Sequence, residues 1–220
     1  MGVEVKICGL TRAPDVAAAV AAGAAYVGFV FFAKSPRHLS VDAARQLALA
    51  VPPSVRRVGL AVDADMGFLT ALVRQVPLEM LQLHGNESPT RVAEVRQATS
   101  LPIIKAIGIA QEGDLAQIAT YGRMADHLLV DARPPAGAQR PGGHGRPFDW
   151  SLLEGQHWPC PWMLAGGLTA ESVAQAIAAS GARRVDVSSG VESAPAHKDA
   201  SKIAAFIQAA QEQRVLPASP

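Results

Sequence analysis

The sequence predicts an α/β fold, a single-domain (β/α)8 (TIM) barrel. Three observations carry that expectation. Short runs of β-branched and apolar residues alternate with Ala-rich amphipathic segments along the chain. This unit recurs eight times within 220 residues, a length that suits one such barrel around one buried core. Chemically reactive residue types also gather at one end of the expected strands, where a parallel barrel builds its sites.

The first strand is expected over Val3–Cys8 and the first helix over Pro14–Ala22, with Ala25–Phe31 as the second strand. The uncharged stretch Val16–Ala33 is as long as a short membrane span. Gly23 and Gly28 interrupt it, and it divides into helix, turn and buried strand. Ser40 offers a cap for a helix over Val41–Ala50, and Arg56–Val62 is the third strand. Asp65 caps Met66–Gln75, ahead of the strand Met80–Leu83. Ser88 caps Pro89–Ala98, ahead of the strand Ile103–Ala106. Glu112–Thr120 reads as the fifth helix and His127–Asp131 as the sixth strand. The Pro- and Gly-rich stretch Arg133–Pro147 is longer than a passive connection needs, and a short helix at Trp150–Gly155 follows it. The strand Trp162–Ala165 leads to a helix over Ala170–Ala179 with Thr169 before it, and Arg184–Val187 leads to Ala200–Arg214. Residues 1–214 read as one barrel domain and 215–220 as a disordered tail. An open doubly wound sheet shows the same alternation, but no GxGxxG follows the first strand.

Lys and Arg number 20 against 19 Asp and Glu, so the charge gives no support for a nucleic-acid or membrane partner. Cys8 and Cys160 stand far apart and outside any CxxC pair, which fits a reducing compartment and a cytoplasmic protein. No basic, apolar leader opens the sequence. HExxH, metal-ligand clusters and Walker loops are missing, so neither a metal nor a nucleotide cofactor is expected.

Cys8 closes the first strand directly before Gly9-Leu10-Thr11, and period-two alternation puts it on the face of Lys6. A neighbouring cation favours thiolate, so Cys8 is a candidate base; the plainer alternative is a buried small hydrophobe. Asp131 ends the apolar run Leu128-Leu129-Val130. A carboxyl partly withdrawn from water is a better proton donor near neutrality, so Asp131 is a candidate acid, with a capping role as the plainer alternative. Three glycine-rich turns follow the last three strands: Gly142-Gly143-His144-Gly145, Gly166-Gly167 and Ser189-Gly190. Such turns let backbone N–H groups approach an anion, which makes Gly143, Gly145, Gly166, Gly167, Ser189 and Gly190 candidate phosphate contacts for a sugar phosphate. Arg37 offers a guanidinium fork for a carboxylate, unless it is simply a solvated loop charge. His84, after the fourth strand, is either a substrate contact or a satisfied strand-end histidine.

With these residues in place, the sequence resembles the phosphoribosylanthranilate isomerases. The likeness runs in order through Lys6-Ile7-Cys8-Gly9-Leu10-Thr11, Gly28-Phe29-Val30-Phe31, Ser35-Pro36-Arg37, Gln82-Leu83-His84-Gly85, Gly142-Gly143-x-Gly145 with Phe148-Asp149-Trp150, Leu164-Ala165-Gly166-Gly167-Leu168 and Val185-Asp186-Val187-Ser188-Ser189-Gly190-Val191-Glu192. It covers residue 5 to about 207, nearly the whole chain. The resemblance implies an Amadori rearrangement of N-(5-phosphoribosyl)anthranilate, a step of tryptophan biosynthesis, with no cofactor or metal. Asp131 would protonate the ring oxygen, Cys8 would remove the C2 proton, Arg37 would hold the anthranilate carboxylate and the glycine turns the phosphate. His84 and Asp186 join them as expected substrate contacts, and the small-molecule substrate is the expected partner of a monomer or homodimer. Three positions depart from the family pattern: Ala61 where Phe is common, His144 in the phosphate loop, and Ala196 where Gly often precedes the Lys198-Asp199 pair.

Two rivals remain at this level. A lyase like indole-glycerol-phosphate synthase would use similar phosphate turns but needs lysines and glutamates at several strand ends, where only Lys105 stands out. A non-catalytic phosphate-binding barrel would need neither Cys8 nor Asp131.

Overall fold

The computed structural model describes residues 2–133 and 148–213. Eight parallel strands close into a barrel in chain order: β1 (Glu4–Cys8), β2 (Tyr26–Phe31), β3 (Arg56–Ala61), β4 (Met80–Leu83), β5 (Ile103–Ile109), β6 (His127–Ala132), β7 (Trp162–Leu164) and β8 (Arg184–Val187). Pairing of β1 with β8, Lys6 opposite Asp186, shuts the ring. The helices outside it are α1 (Ala13–Ala21), α2 (Val41–Leu49), α3 (Met66–Gln75), α4 (Pro89–Thr99), α5 (Ala116–Gly122), α6 (Val173–Ser180) and α7 (Ala200–Gln211). Among the described residues no helix is long and apolar enough to cross a membrane.

Period-two alternation divides each strand between two environments. Tyr26, Val58, Met80, Ile104, Ala106, Leu129, Met163 and Ala165 fill the barrel interior. The intervening residues, among them Ile7, Val27, Phe29, Leu81, Ile103, Leu128 and Val130, pack with the inner faces of the helices into the main core. The three helix caps expected at Ser40, Asp65 and Ser88 are present: their side chains accept from the N–H groups of Ala43, Phe68 and Arg91 at 3.2, 2.7 and 3.2 Å.

The remaining elements differ from expectation for local reasons. Thr169 does not cap a helix at Ala170. Its carbonyl accepts from Ser172 and Val173 in a turn, and α6 starts only at Val173. The fifth helical segment opens as a 3-10 turn over Glu112–Leu115, because the Asp114 carboxylate bonds back to the N–H groups of Ala110 and Gln111. The short helix expected at Trp150–Gly155 is a single 3-10 turn, Trp150–Leu153. β5 runs on to Ile109, three residues past the expected end. A small antiparallel hairpin, β9 (Glu192–Ala194) with β10 (His197–Lys198), stands where no strand was expected. α7 ends at Gln211, and Arg214 with the tail 215–220 lies outside the described residues.

Candidate active site

The C-terminal ends of the strands surround a cavity of about 760 Å³, counting its open mouth. Cys8, Arg37, His84, Asp131, Gly166, Gly167, Asp186, Ser189 and Gly190 all line it. Every expected site residue within the described part of the chain therefore meets at one place. Gly143 and Gly145, with His144 between them, lie outside the described residues.

Cys8 and Lys6 project from β1 into the barrel, side by side. Lys6 Nζ donates to Asp186 Oδ1 on β8 at 2.8 Å, a pair with no exposure on the lysine side. Burial works against the Lys6 charge, but Asp186 and the neighbouring thiol hold that ammonium at about 12. Burial also dominates at Cys8 and pushes its thiol up; Lys6 opposes this and Asp186 reinforces it. Lys6 does favour the thiolate, as expected, but withdrawing the thiolate from water costs more than Lys6 returns. The pair fits only because β2 carries Gly28 opposite Cys8. A Cβ there would stand 2.9 Å from Cys8 Sγ and 3.3 Å from Lys6 Nζ.

Asp131 emerges from β6, with Oδ1 accepting from the N–H of Ala132 at 2.8 Å and Oδ2 lying 3.3 Å from His84 Nε2. Gly166 has φ +89°, and a Cβ on it would crowd Ala132 N at 2.8 Å and Asp131 Oδ1 at 3.3 Å. That glycine makes room for the acid as well as shaping its turn. Gly190 serves a similar purpose, since its missing Cβ admits the carbonyl of Leu168 and lets the turns after β7 and β8 pack against each other.

The backbone on either side of His84 is held from outside the barrel. Lys105 turns toward the helix layer, where Nζ donates to the carbonyl of Gly85 at 2.7 Å and to Glu87 Oε2 at 2.9 Å. Glu87 in turn accepts from the N–H groups of Gly85 and Asp63, both at 2.9 Å. The ammonium of Lys105 is fully engaged there, so it supplies no catalytic lysine for a synthase-like reading.

Arg37 has a partner the sequence did not reveal. Its Nε and Nη2 donate to Glu192 Oε1 and Oε2, each at 2.7 Å, in a buried bidentate pair. Glu192 also accepts from Lys198 Nζ at 2.8 Å. Burial alone would raise the Glu192 carboxyl, but Arg37 and Lys198 hold it below the usual range. Neither residue carried a role in the sequence reading. The available signal was their place in the Val185–Glu192 motif and in the Lys198-Asp199 pair. Among the described residues no group of three or more His, Cys, Asp or Glu side chains could hold a metal.

Residues 5–209 match the family model for N-(5'-phosphoribosyl)anthranilate (PRA) isomerase. The chain is 60% identical over 210 residues to N-(5'-phosphoribosyl)anthranilate isomerase of Cereibacter sphaeroides, covering 96% of this chain and 99% of that one. It is 56% identical to the same enzyme of Paracoccus denitrificans, covering 94% and 96%. Among solved structures, phosphoribosyl anthranilate isomerase from Thermotoga maritima superposes with a TM-score of 0.87 at 36% identity, over 96% of this chain and 100% of that one. A phosphoribosyl anthranilate isomerase in complex with reduced 1-(o-carboxyphenylamino)-1-deoxyribulose 5-phosphate superposes with a TM-score of 0.84 at 34% identity, with the same coverage.

Proposed function

The chain belongs to the N-(5'-phosphoribosyl)anthranilate isomerase family, and from that premise we propose that Asp131 and Cys8 are the acid and base of its reaction. The enzyme converts N-(5-phosphoribosyl)anthranilate to 1-(2-carboxyphenylamino)-1-deoxyribulose 5-phosphate, a step of tryptophan biosynthesis. Asp131 gives a proton to the furanose ring oxygen as the C1–O bond breaks, and the nitrogen lone pair forms the Schiff base. Cys8 then takes the proton from C2, whose acidity the protonated imine has raised. The resulting enolamine gains a proton at C1 and loses one from the C2 hydroxyl, leaving the ketone. Ring opening needs a donor and the second step an acceptor, so two groups of different character are required in one cavity.

The observation that carries this reading is the meeting of Cys8 and Asp131 in the same cavity, brought from β1 and β6. Arg37 takes the anthranilate carboxylate, while Gly166, Gly167, Ser189 and Gly190 take the phosphate, together with Gly143 and Gly145. His84 and Asp186 contact the substrate. Residues 1–214 act as one catalytic domain. The enzyme works in the cytoplasm, a compartment its two free cysteines support, and as a monomer or homodimer. The test is the decay of the substrate's anthranilate fluorescence. Asp131→Asn and Cys8→Ser should each lower turnover by at least ~100-fold while a product analogue still binds. Near-full turnover at saturating substrate in either variant removes that residue from its role.

A further inference from the structure

Arg37, Glu192 and Lys198 form a buried cluster of two cations and one anion beside the reacting groups. Glu192 occupies the side edge of the guanidinium, formed by Nε and Nη2. Among the described residues nothing hydrogen-bonds to Nη1, so the end edge, Nη1 with the second hydrogen of Nη2, is unused. A guanidinium has five N–H donors and can serve one carboxylate on each edge. The stem of Arg37 lies across Gly9, in the space a Cβ would fill, so the side chain has little freedom to swing.

Lys198 fixes Glu192 from behind. Its Nζ donates to Glu192 Oε1 at 2.8 Å and to the carbonyl and hydroxyl of Ser188 at 3.0 and 3.3 Å. Ser188 directly precedes the Ser189-Gly190 turn, so one ammonium ties the Arg37 brace to the turn read as phosphate-binding. The hairpin carrying Lys198 is itself pinned, since Thr11 Oγ1 donates to the Ala196 carbonyl at 2.9 Å and Arg12 Nη2 to that of Lys198 at 3.2 Å.

We infer that Lys198, acting through Glu192, is a positioning residue that holds the free edge of Arg37 ready for the aromatic carboxylate of the substrate. This rests on the reading of Arg37 as the carboxylate contact. The charge count supports it: the cluster carries one surplus positive charge out of water, which is costly, and an arriving carboxylate balances it. Burial, outweighing the pull of Glu192 and helped by the nearby Arg37, holds the Lys198 ammonium below its usual range, as expected where two buried cations share one carboxylate.

The test compares two ligands by titration calorimetry: reduced 1-(o-carboxyphenylamino)-1-deoxyribulose 5-phosphate, and the same molecule without its carboxylate. Arg37→Ala should abolish the preference for the first, worth about 10- to 100-fold for a charge-assisted pair. Glu192→Gln and Lys198→Met should each reduce that preference, the ratio of the two affinities, at least ~5-fold, over and above any loss that the two phosphate-bearing ligands share. Turnover should show the loss mainly in KM. A preference left intact in either variant overturns the inference, as does equal weakening of both ligands, which marks a purely structural role. A stronger preference in Glu192→Gln also overturns it, because Glu192 would then compete with the substrate for Arg37. If Arg37→Ala keeps the preference, the reading of Arg37 itself fails, which is a separate outcome.

Discussion

His84 stands between the candidate acid and a buried amide: Nε2 lies 3.3 Å from Asp131 Oδ2, and Nδ1 lies 2.8 Å from Gln82 Nε2. With the Gln82 amide donating, Nδ1 accepts, and the neutral ring carries its proton on Nε2, facing Asp131. The histidine is then a hydrogen-bond donor that aims the carboxyl into the cavity.

Gln82→Leu keeps the volume, removes that donor and leaves the ring free to adopt the other tautomer. Turnover is expected to fall about tenfold, the worth of one hydrogen bond to a positioned group, with little change in KM. Long-range nitrogen–proton NMR of the wild type should report the Nε2–H form. An Nδ1–H ring would refute the arrangement.

The Cys8 thiol is pushed up by burial despite Lys6, and this sets the pH response. If the thiolate is the base, kcat/KM should climb as pH rises, with its midpoint above the ordinary thiol value of about 8.5. Iodoacetamide should inactivate the enzyme along the same curve, with protection by the product analogue. The stability linkage runs the other way. A group that binds its proton more tightly when folded stabilises fully below the unfolded thiol value, and that contribution is lost as pH rises through the folded one. An alkylation midpoint below 8 would contradict the burial argument.

Gly28→Ala puts a methyl where Cys8 Sγ and Lys6 Nζ now lie, 2.9 and 3.3 Å away. Overpacking of this kind costs about 1–3 kcal/mol. Thermal unfolding should drop by several degrees, and turnover measured well below the midpoint should still fall at least ~10-fold because the thiol is displaced. A folded variant with full turnover would mean that the thiol's position is not critical.

Ala196 occupies the left-handed region with φ +66°, in the turn between β9 and β10. An L-residue with a Cβ is strained there, and a glycine is not. Ala196→Gly should stabilise by about 0.5–1 kcal/mol after the entropy cost of glycine, raising Tm by roughly 1–4 °C in a chain this size. Differential scanning calorimetry decides the sign; an unchanged or lower Tm rules out relief of strain.

The barrel was legible because its signal is local. Alternation in β1 put Lys6 and Cys8 on one face, and the caps Ser40, Asp65 and Ser88 are read within four residues of the bonds they accept. Thr169 misled because Ser172, three residues on, takes its N–H and hydroxyl into a turn, and a Thr suits such a turn as well as a cap. The β9–β10 hairpin was invisible: strands of three and two residues carry no period. At the site, reactive residues at strand ends could be found one by one, since each strand end is marked by its own apolar run. The pair Arg37–Glu192 could not, because its members stand 155 residues apart and charge alone does not say which carboxylate an arginine meets. Burial was the other blind spot. The sequence shows that a cation neighbours Cys8, but not that the site is dry enough for desolvation to outweigh it.

The closure of β1 onto β8 places the site on a seam between the two ends of the chain. Lys6 meets Asp186, Arg37 meets Glu192 and Thr11 meets Ala196, at separations of 180, 155 and 185 residues. A chain that stops after β7 holds the acid and base but lacks the partners of Lys6 and Arg37 and the last glycine turn. Contacts so distant in sequence form late, after their loop-closure entropy has been met. Catalysis should therefore be a readout of ring closure: a growing or partly unfolded chain is expected to be silent, and in refolding, activity should return with the last strand rather than with the first helices.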